Sequence, residues 1–119
     1  MMNFLLVFVG GGFGSVLRYA IGLCIGTAAS PWATLAVNVA GSFAIGLLGG
    51  WSERFGWSEA IGLALTAGFC GGFTTFSTFS KESLALVQSG RYCTFAAYAI
   101  GSVAIGLAAV TLGYLIAKQ

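Results

Sequence analysis

Between Gly68 and Ser80 the chain reads Gly-Phe-Cys-Gly-Gly-Phe-Thr-Thr-Phe-Ser-Thr-Phe-Ser, a glycine-and-hydroxyl interruption inside an apolar run of membrane-spanning length. Hydrocarbon offers no water to exposed N–H and C=O groups, so non-helical backbone at membrane depth survives only when buried in protein or lining a polar cavity. An interruption here therefore points to an ion or substrate site and to conduction, not to a loop. Gly71 and Gly72, followed by Thr74 and Thr75, weaken helical continuity and release carbonyl groups for coordinating a cation.

The surrounding chain must then be a membrane protein, and its composition agrees. Of 119 residues, 58% are hydrophobic and only 7% charged, against roughly 25% charged in an ordinary soluble domain. Four apolar segments, charged only at Arg18, approach the roughly 20 residues a spanning helix needs: Phe4 to about Thr27, about Thr34 to Gly50, about Ala60 to Ser80 with an extension, and Tyr92 to Ala117. The expectation is an all-α protein, residues 1–119 forming a single four-helix transmembrane domain whose third helix is broken near its middle. Ser30-Pro31-Trp32 is expected to separate the first two helices, because proline removes a helical hydrogen bond. Ser52 to Glu59 and Gln88 to Arg91 separate the others. The N-terminus lacks the basic region and small-residue cleavage site of a removable signal peptide, so the first span is expected to start at the chain's beginning.

Enzyme chemistry has little to work with. The chain has no histidine, its three carboxylates are Glu53, Glu59 and Glu82, and all three are expected near helix ends or outside the apolar segments. Cys24, Cys70 and Cys93 show no paired spacing and read as small apolar packing residues. No nucleic-acid partner is implied. Glycine and alanine recur at four-residue spacing (Gly10/Gly14, Gly22/Gly26, Gly46/Gly50, Gly68/Gly72, Ala109/Gly113), which lets helix backbones approach closely in lipid.

The basic residues divide evenly between the two membrane faces. A cytoplasmic N-terminus would put Arg54 and Lys118 on one side and Lys81 and Arg91 on the other, with Arg18 inside the first helix leaning toward the second group. Orientation normally follows a Lys/Arg excess in cytoplasmic loops. A balanced count implies insertion both ways, and an antiparallel homodimer follows as an expectation.

Three motifs then converge. Gly11-Gly12-Phe13-Gly14-Ser15-Val16-Leu17-Arg18-Tyr19, Asn38-Val39-Ala40-Gly41-Ser42-Phe43 and Gly71-Gly72-Phe73-Thr74-Thr75-Phe76-Ser77-Thr78-Phe79-Ser80, in this order within four short helices, resemble the CrcB/Fluc family of fluoride channels. The resemblance covers essentially the whole chain, and the third motif is the most specific. It implies a dual-topology homodimer in the bacterial plasma (inner) membrane, with two antiparallel fluoride pores. It also implies a structural sodium ion held at the dimer centre by backbone carbonyls of the broken helix, by position those of Gly71 and Thr74. The pore phenylalanines would be Phe76 and Phe79.

The residues supply chemistry suited to such a pore. Fluoride is small and strongly hydrated, so a conducting path must replace lost water with donors, while a fixed cationic trap would hold the ion too firmly. Asn38 offers an amide, and Ser77, Thr78, Ser80, Tyr98 and Ser102 offer hydroxyls. Phe76 and Phe79, three apart, share a helix face, and the positive edge of an aromatic ring can face an anion. Thr94, Tyr98 and Ser102 make a stripe at intervals of four, of which the family's polar track maps onto Tyr98 and Ser102; Thr111 falls off the register. Two readings stay open for Asn38, interhelical hydrogen bonding or pore lining. Two also stay open for Arg18, snorkelling to the interface or drawing anions from an aqueous vestibule.

The rival from another class is a proton-coupled exporter of the small multidrug-resistance type, also built of four short helices. Such a carrier needs a titratable carboxylate at the membrane midplane, which the sequence is not expected to place there. The balanced charges carry a direct prediction: reporter fusions at the chain's termini should reveal both orientations within one cell population, and a single orientation in all copies would refute it.

Overall fold

The computed structural model describes residues 2–25, 30–74 and 76–119; the side chains of Ile25, Ser30 and Ser77 lie outside the description. Expectations that fall on Gly26, Thr27 and Thr75 lie outside the described residues. The helices are α1 (Met2–Ile25), α2 (Ser30–Phe55), α3 (Glu59–Leu63), a π-helical segment (Ala64–Cys70), α4 (Gly71–Phe73), α5 (Phe76–Gln88) and α6 (Tyr92–Lys118). Four candidate spans result, the third running from Glu59 to Gln88. Helices are the only regular elements among the described residues.

The element boundaries correct the expected ones in two places. Pro31 does not separate helices: it lies in the first turn of α2, where its missing N–H would be unpaired anyway. The second span also runs on to Phe55, and Gly56 follows with a φ of 63°, the left-handed conformation that lets glycine end a helix. Gly90, φ 77°, does the same after α5. Ser58 caps α3, its hydroxyl accepting from the Ile61 amide at 3.3 Å.

Packing is pairwise. The most extensive contact joins α2 to α6, and the next joins α1 to the π-helical segment and α4. Glycines make both possible. A methyl at Gly46 would overlap the Val110 carbonyl and one at Gly113 the Phe43 carbonyl, so these backbones touch directly. Across the other seam Gly10 faces the Ala64 carbonyl, Gly14 the Phe69 carbonyl, and Gly72 the Gly11 carbonyl. Lipid tails are as apolar as the side chains, so close dispersion contact rather than water exclusion holds such pairs. Large apolar side chains such as Phe4, Phe8, Phe13 and Leu107 point outward, as a bilayer-facing surface requires.

At the far end of the α2–α6 pair, Arg54 Nη1 donates to the Ala117 carbonyl at 3.4 Å and Lys118 lies 3.3 Å from Glu53 Oε2. Arg54 and Lys118 thus share one end of the bundle, as the charge count assumed. The seams yield a test. Gly46→Ala and Gly113→Ala should each lower thermal stability in detergent by about 1–3 kcal/mol through overpacking. Gly22→Ala, where a methyl meets nothing within 4 Å, should be neutral or slightly stabilising. Equal losses at all three would remove the packing account.

Candidate functional site

The third span departs from α-helical geometry well before its glycine pair. Thr66 Oγ1 donates to the Gly62 carbonyl at 2.6 Å, a back-bond that bends helices, and from Ala64 to Cys70 the winding is π-helical, a feature common at functional positions. Gly71 itself keeps helical angles, φ −62° and ψ −38°. The break falls at Thr74, whose φ −91° and ψ 157° are extended. Its amide and its Oγ1 both donate to the Cys70 carbonyl, each at 2.9 Å, closing the first half-helix. The glycine pair is therefore not the broken point. Its role is close approach, since Gly72 lies against the backbone of Gly11.

Beside the break a cleft of about 660 Å³ opens. Helix α2 contributes Asn38, Gly41, Ser42 and Ile45, at i, i+3, i+4 and i+7, one continuous helical face. The π-helical segment contributes Thr66, Ala67 and Cys70; the break contributes Gly71 and Thr74; α5 contributes Phe76 and Phe79; α6 contributes Ser102 and Val103. Of the residues singled out by sequence, Asn38, Gly71, Thr74, Phe76, Phe79 and Ser102 thus come together on one cavity. The Phe76 and Phe79 ring centroids lie 5.7 Å apart, and Phe76 is 78% exposed. Ser102 Oγ is shielded from solvent and has no hydrogen-bond partner among the described residues. Such a group is costly by about 1–3 kcal/mol until something meets it.

Other expected pore residues stand elsewhere. Tyr98 is fully buried and does not line the cleft. Its hydroxyl donates to Glu82 Oε1 at 3.2 Å, and buried Thr34 hydrogen-bonds the same phenol. The phenol's single proton is directed at this carboxylate. Its ring instead supports Phe79, centroid to centroid 5.1 Å, and meets Trp32 edge-on at 6.1 Å. Thr78 is half-buried and Ser80 exposed, and neither lines the cleft; the Ser77 side chain lies outside the described residues. Arg18 is half-buried and not in the cleft, its Nε donating to the Gly72 carbonyl at 3.3 Å.

Glu82 needs a correction. It sits in the middle of α5, inside the third span, whereas the carboxylates were expected near helix ends or outside the apolar segments. The extension past Ser80 runs to Gln88 and carries Glu82 into the span. Ser42 and Ile45 were also missed, although their spacing from Asn38 places them on its helix face. No group of three or more His, Cys, Asp or Glu able to hold a metal occurs among the described residues. The only neutral oxygen ligands the break offers a cation are then carbonyls and hydroxyls.

Comparison with known proteins matches this architecture to a family. Residues 5–114 match the family described as CrcB-like protein, Camphor Resistance (CrcB). The fluoride-specific ion channel FluC of Phocaeicola vulgatus is 51% identical over 116 residues, covering 95% of this chain and 96% of that protein. A protein of the same name from Bacteroides fragilis is 43% identical over 125 residues, covering 100% and 98%. Another, from Gloeobacter violaceus, is 48% identical over 121 residues, covering 95% and 94%. With four apolar helices of spanning length and bacterial relatives of this kind, the chain is an integral protein of the plasma membrane, and it belongs to the CrcB-like family.

Proposed function

We propose that this chain is a fluoride-selective channel, a transporter rather than an enzyme. It would pass the anion passively out across the bacterial plasma membrane. The observation that carries the reading is the single cleft on which Asn38, Phe76, Phe79 and Ser102 meet beside a broken span, in a chain whose relatives bear the name of fluoride-specific ion channel. The donors there are neutral, so a strongly hydrated anion is met without being trapped. The end of α5 nearest the break is its N-terminus, the positive end of the helix dipole, which favours an anion at Phe76.

The working unit in this reading is an antiparallel, dual-topology homodimer with two pores. The cleft, with Asn38, Ser42, Thr66 and Ser102 in its lining, opens beside spans of membrane depth, where lipid tails are a poor match for a polar opening. A second copy seated there, with a thin file of ions or water, supplies the match. A sodium ion on the two-fold axis fits the same geometry: Gly71 and Thr74 share the cleft, and two copies would offer four carbonyl oxygens with no carboxylate among them. A neutral cage suits a monovalent hard cation. The ion would supply structural cross-linking between the two broken spans.

The exporter alternative is less well supported. Although Glu82 lies inside the span, it is engaged by Tyr98 and stands off the cleft, so it is poorly placed to trade a proton for a substrate. Liposome efflux tests the proposal. Fluoride should leave without a proton gradient and far faster than chloride, and Phe76→Ile or Phe79→Ile should cut its flux at least about tenfold while dimers still assemble, because bulk is kept and the positive ring edge is lost. Proton-dependent efflux, comparable chloride flux, or full activity of both variants in assembled protein would each defeat it.

A further inference from the structure

Arg18 is the one membrane-embedded cation whose side chain reaches the broken span among the described hydrogen bonds. The sequence left it two fates, the interface or a vestibule, and the geometry points to a third. Its Nε donates to the Gly72 carbonyl at 3.3 Å, and Ser15 Oγ donates to the same oxygen at 3.4 Å. Ser15 and Arg18 are three apart on α1, hence on one face. That face is pressed onto the third span by Gly14, which lies against Phe69 and Phe73, and by Gly11, which lies against Gly72.

Gly72 occupies the last turn of the helical run that ends at Phe73. In an unbroken helix its carbonyl would accept from the amide four residues on, at Phe76. Thr74 is extended, so that partner is lost and the carbonyl becomes one of the orphans every helix end leaves. In lipid an orphan carbonyl is expensive. Cys70, the other carbonyl engaged at this end, is satisfied from within by Thr74; Gly72 is satisfied from α1. A guanidinium at this end also lies at the negative pole of the half-helix dipole, where a cation is favoured.

We propose that Arg18 is a positioning residue: with Ser15 it caps the first half of the third span across helices and so fixes where the backbone turns at Thr74. Resting on the cation site inferred above, the cap sets the carbonyls of Gly71, which lies between the occupied carbonyls of Cys70 and Gly72, and of Thr74, two residues beyond. Charge is secondary in this role, and the donor at the Nε position is primary.

Three substitutions in full-length protein reconstituted in lipid separate the two. Arg18→Gln places a neutral N–H donor the same number of bonds from Cα as Nε. Arg18→Lys keeps the charge but puts a methylene at that position, and Arg18→Met removes both. Amide hydrogen exchange at Gly72 to Thr74 and at Phe76 should accelerate about tenfold in Arg18→Met, the scale of one lost charge-assisted hydrogen bond. It should stay within about threefold of wild type in Arg18→Gln. The sodium concentration that sustains half-maximal fluoride efflux should rise in the same order. A wild-type-like Arg18→Lys beside an Arg18→Gln as impaired as Arg18→Met would overturn the proposal in favour of an anion-collecting charge. Unchanged exchange in every variant would overturn it outright. If Arg18→Met does not assemble, Ser15→Ala removes only one donor: faster exchange at the same amides supports the cap, and unchanged exchange refutes it. Wild-type protein that carries no fluoride would refute the functional reading alone, since the exchange data still judge the cap.

Discussion

A hydrocarbon surrounding requires every backbone N–H and C=O to find a partner inside the protein, and this chain breaks a spanning helix in the middle of that surrounding. The rest of the structure can be derived from how the break at Thr74 is accommodated. Thr74 turns its own hydroxyl back onto the Cys70 carbonyl, and α1 brings Ser15 and Arg18 to the Gly72 carbonyl. For α1 to reach that close, its backbone must be bare where the helices touch, so Gly10, Gly11 and Gly14 stand at the contact and Gly68 and Gly72 answer from the third span. The glycines of this seam thus serve the break, since a conventional ridge of leucines would hold α1 too far away for the cap to form.

The second seam follows a different logic. Helices α2 and α6 meet through Gly46, Gly50 and Gly113 without any break to support, and their contact makes a rigid wall. On that wall Asn38 and Ser42 from α2 and Ser102 from α6 come to one cleft. A rigid pair facing a bent pair is a sound way to build a path in a protein this small. The wall positions the donors, and the bent span presents its aromatic rings and its freed backbone to them.

How far this was legible in sequence depended on the kind of signal. Spans declare themselves through hydropathy over twenty residues, a sum too large for any single side chain to disturb, and all four are present. The third motif located the break to within a few residues. Its cause was misassigned because glycine's permissiveness was weighed above threonine's capacity to close a helix with its own hydroxyl, and Gly71 is helical while Thr74 is extended. Pro31 was read as a separator because the sequence alone does not tell a proline in a first turn from one in a loop. Asn38, Phe76, Phe79 and Ser102, singled out through the motif resemblance because a Phe pair or a lone Asn at helical spacing reads as packing by itself, line one cleft. Tyr98 shows what a one-dimensional stripe hides, namely depth: it lies on the same helix face as Ser102, yet Trp32, Thr34, Phe79 and Glu82 close around it.

That enclosure shows how the protein keeps charge near a neutral path without putting charge in it. Glu82 is a carboxylate inside the third span, and its charge would repel an anion if it faced the cleft. Instead it accepts the Tyr98 proton, while the Tyr98 ring forms the support on which Phe79 rests. Arg18 is treated alike, turned onto a backbone carbonyl rather than toward the cleft. Both groups are thus engaged in holding an element in place, Arg18 the end of the first half-helix and Glu82 the partner of the ring behind Phe79. The cleft itself is left to Asn38, hydroxyls, carbonyls and ring edges. A path lined in that way offers an anion many weak partners in succession, the condition for entering a site and leaving it again.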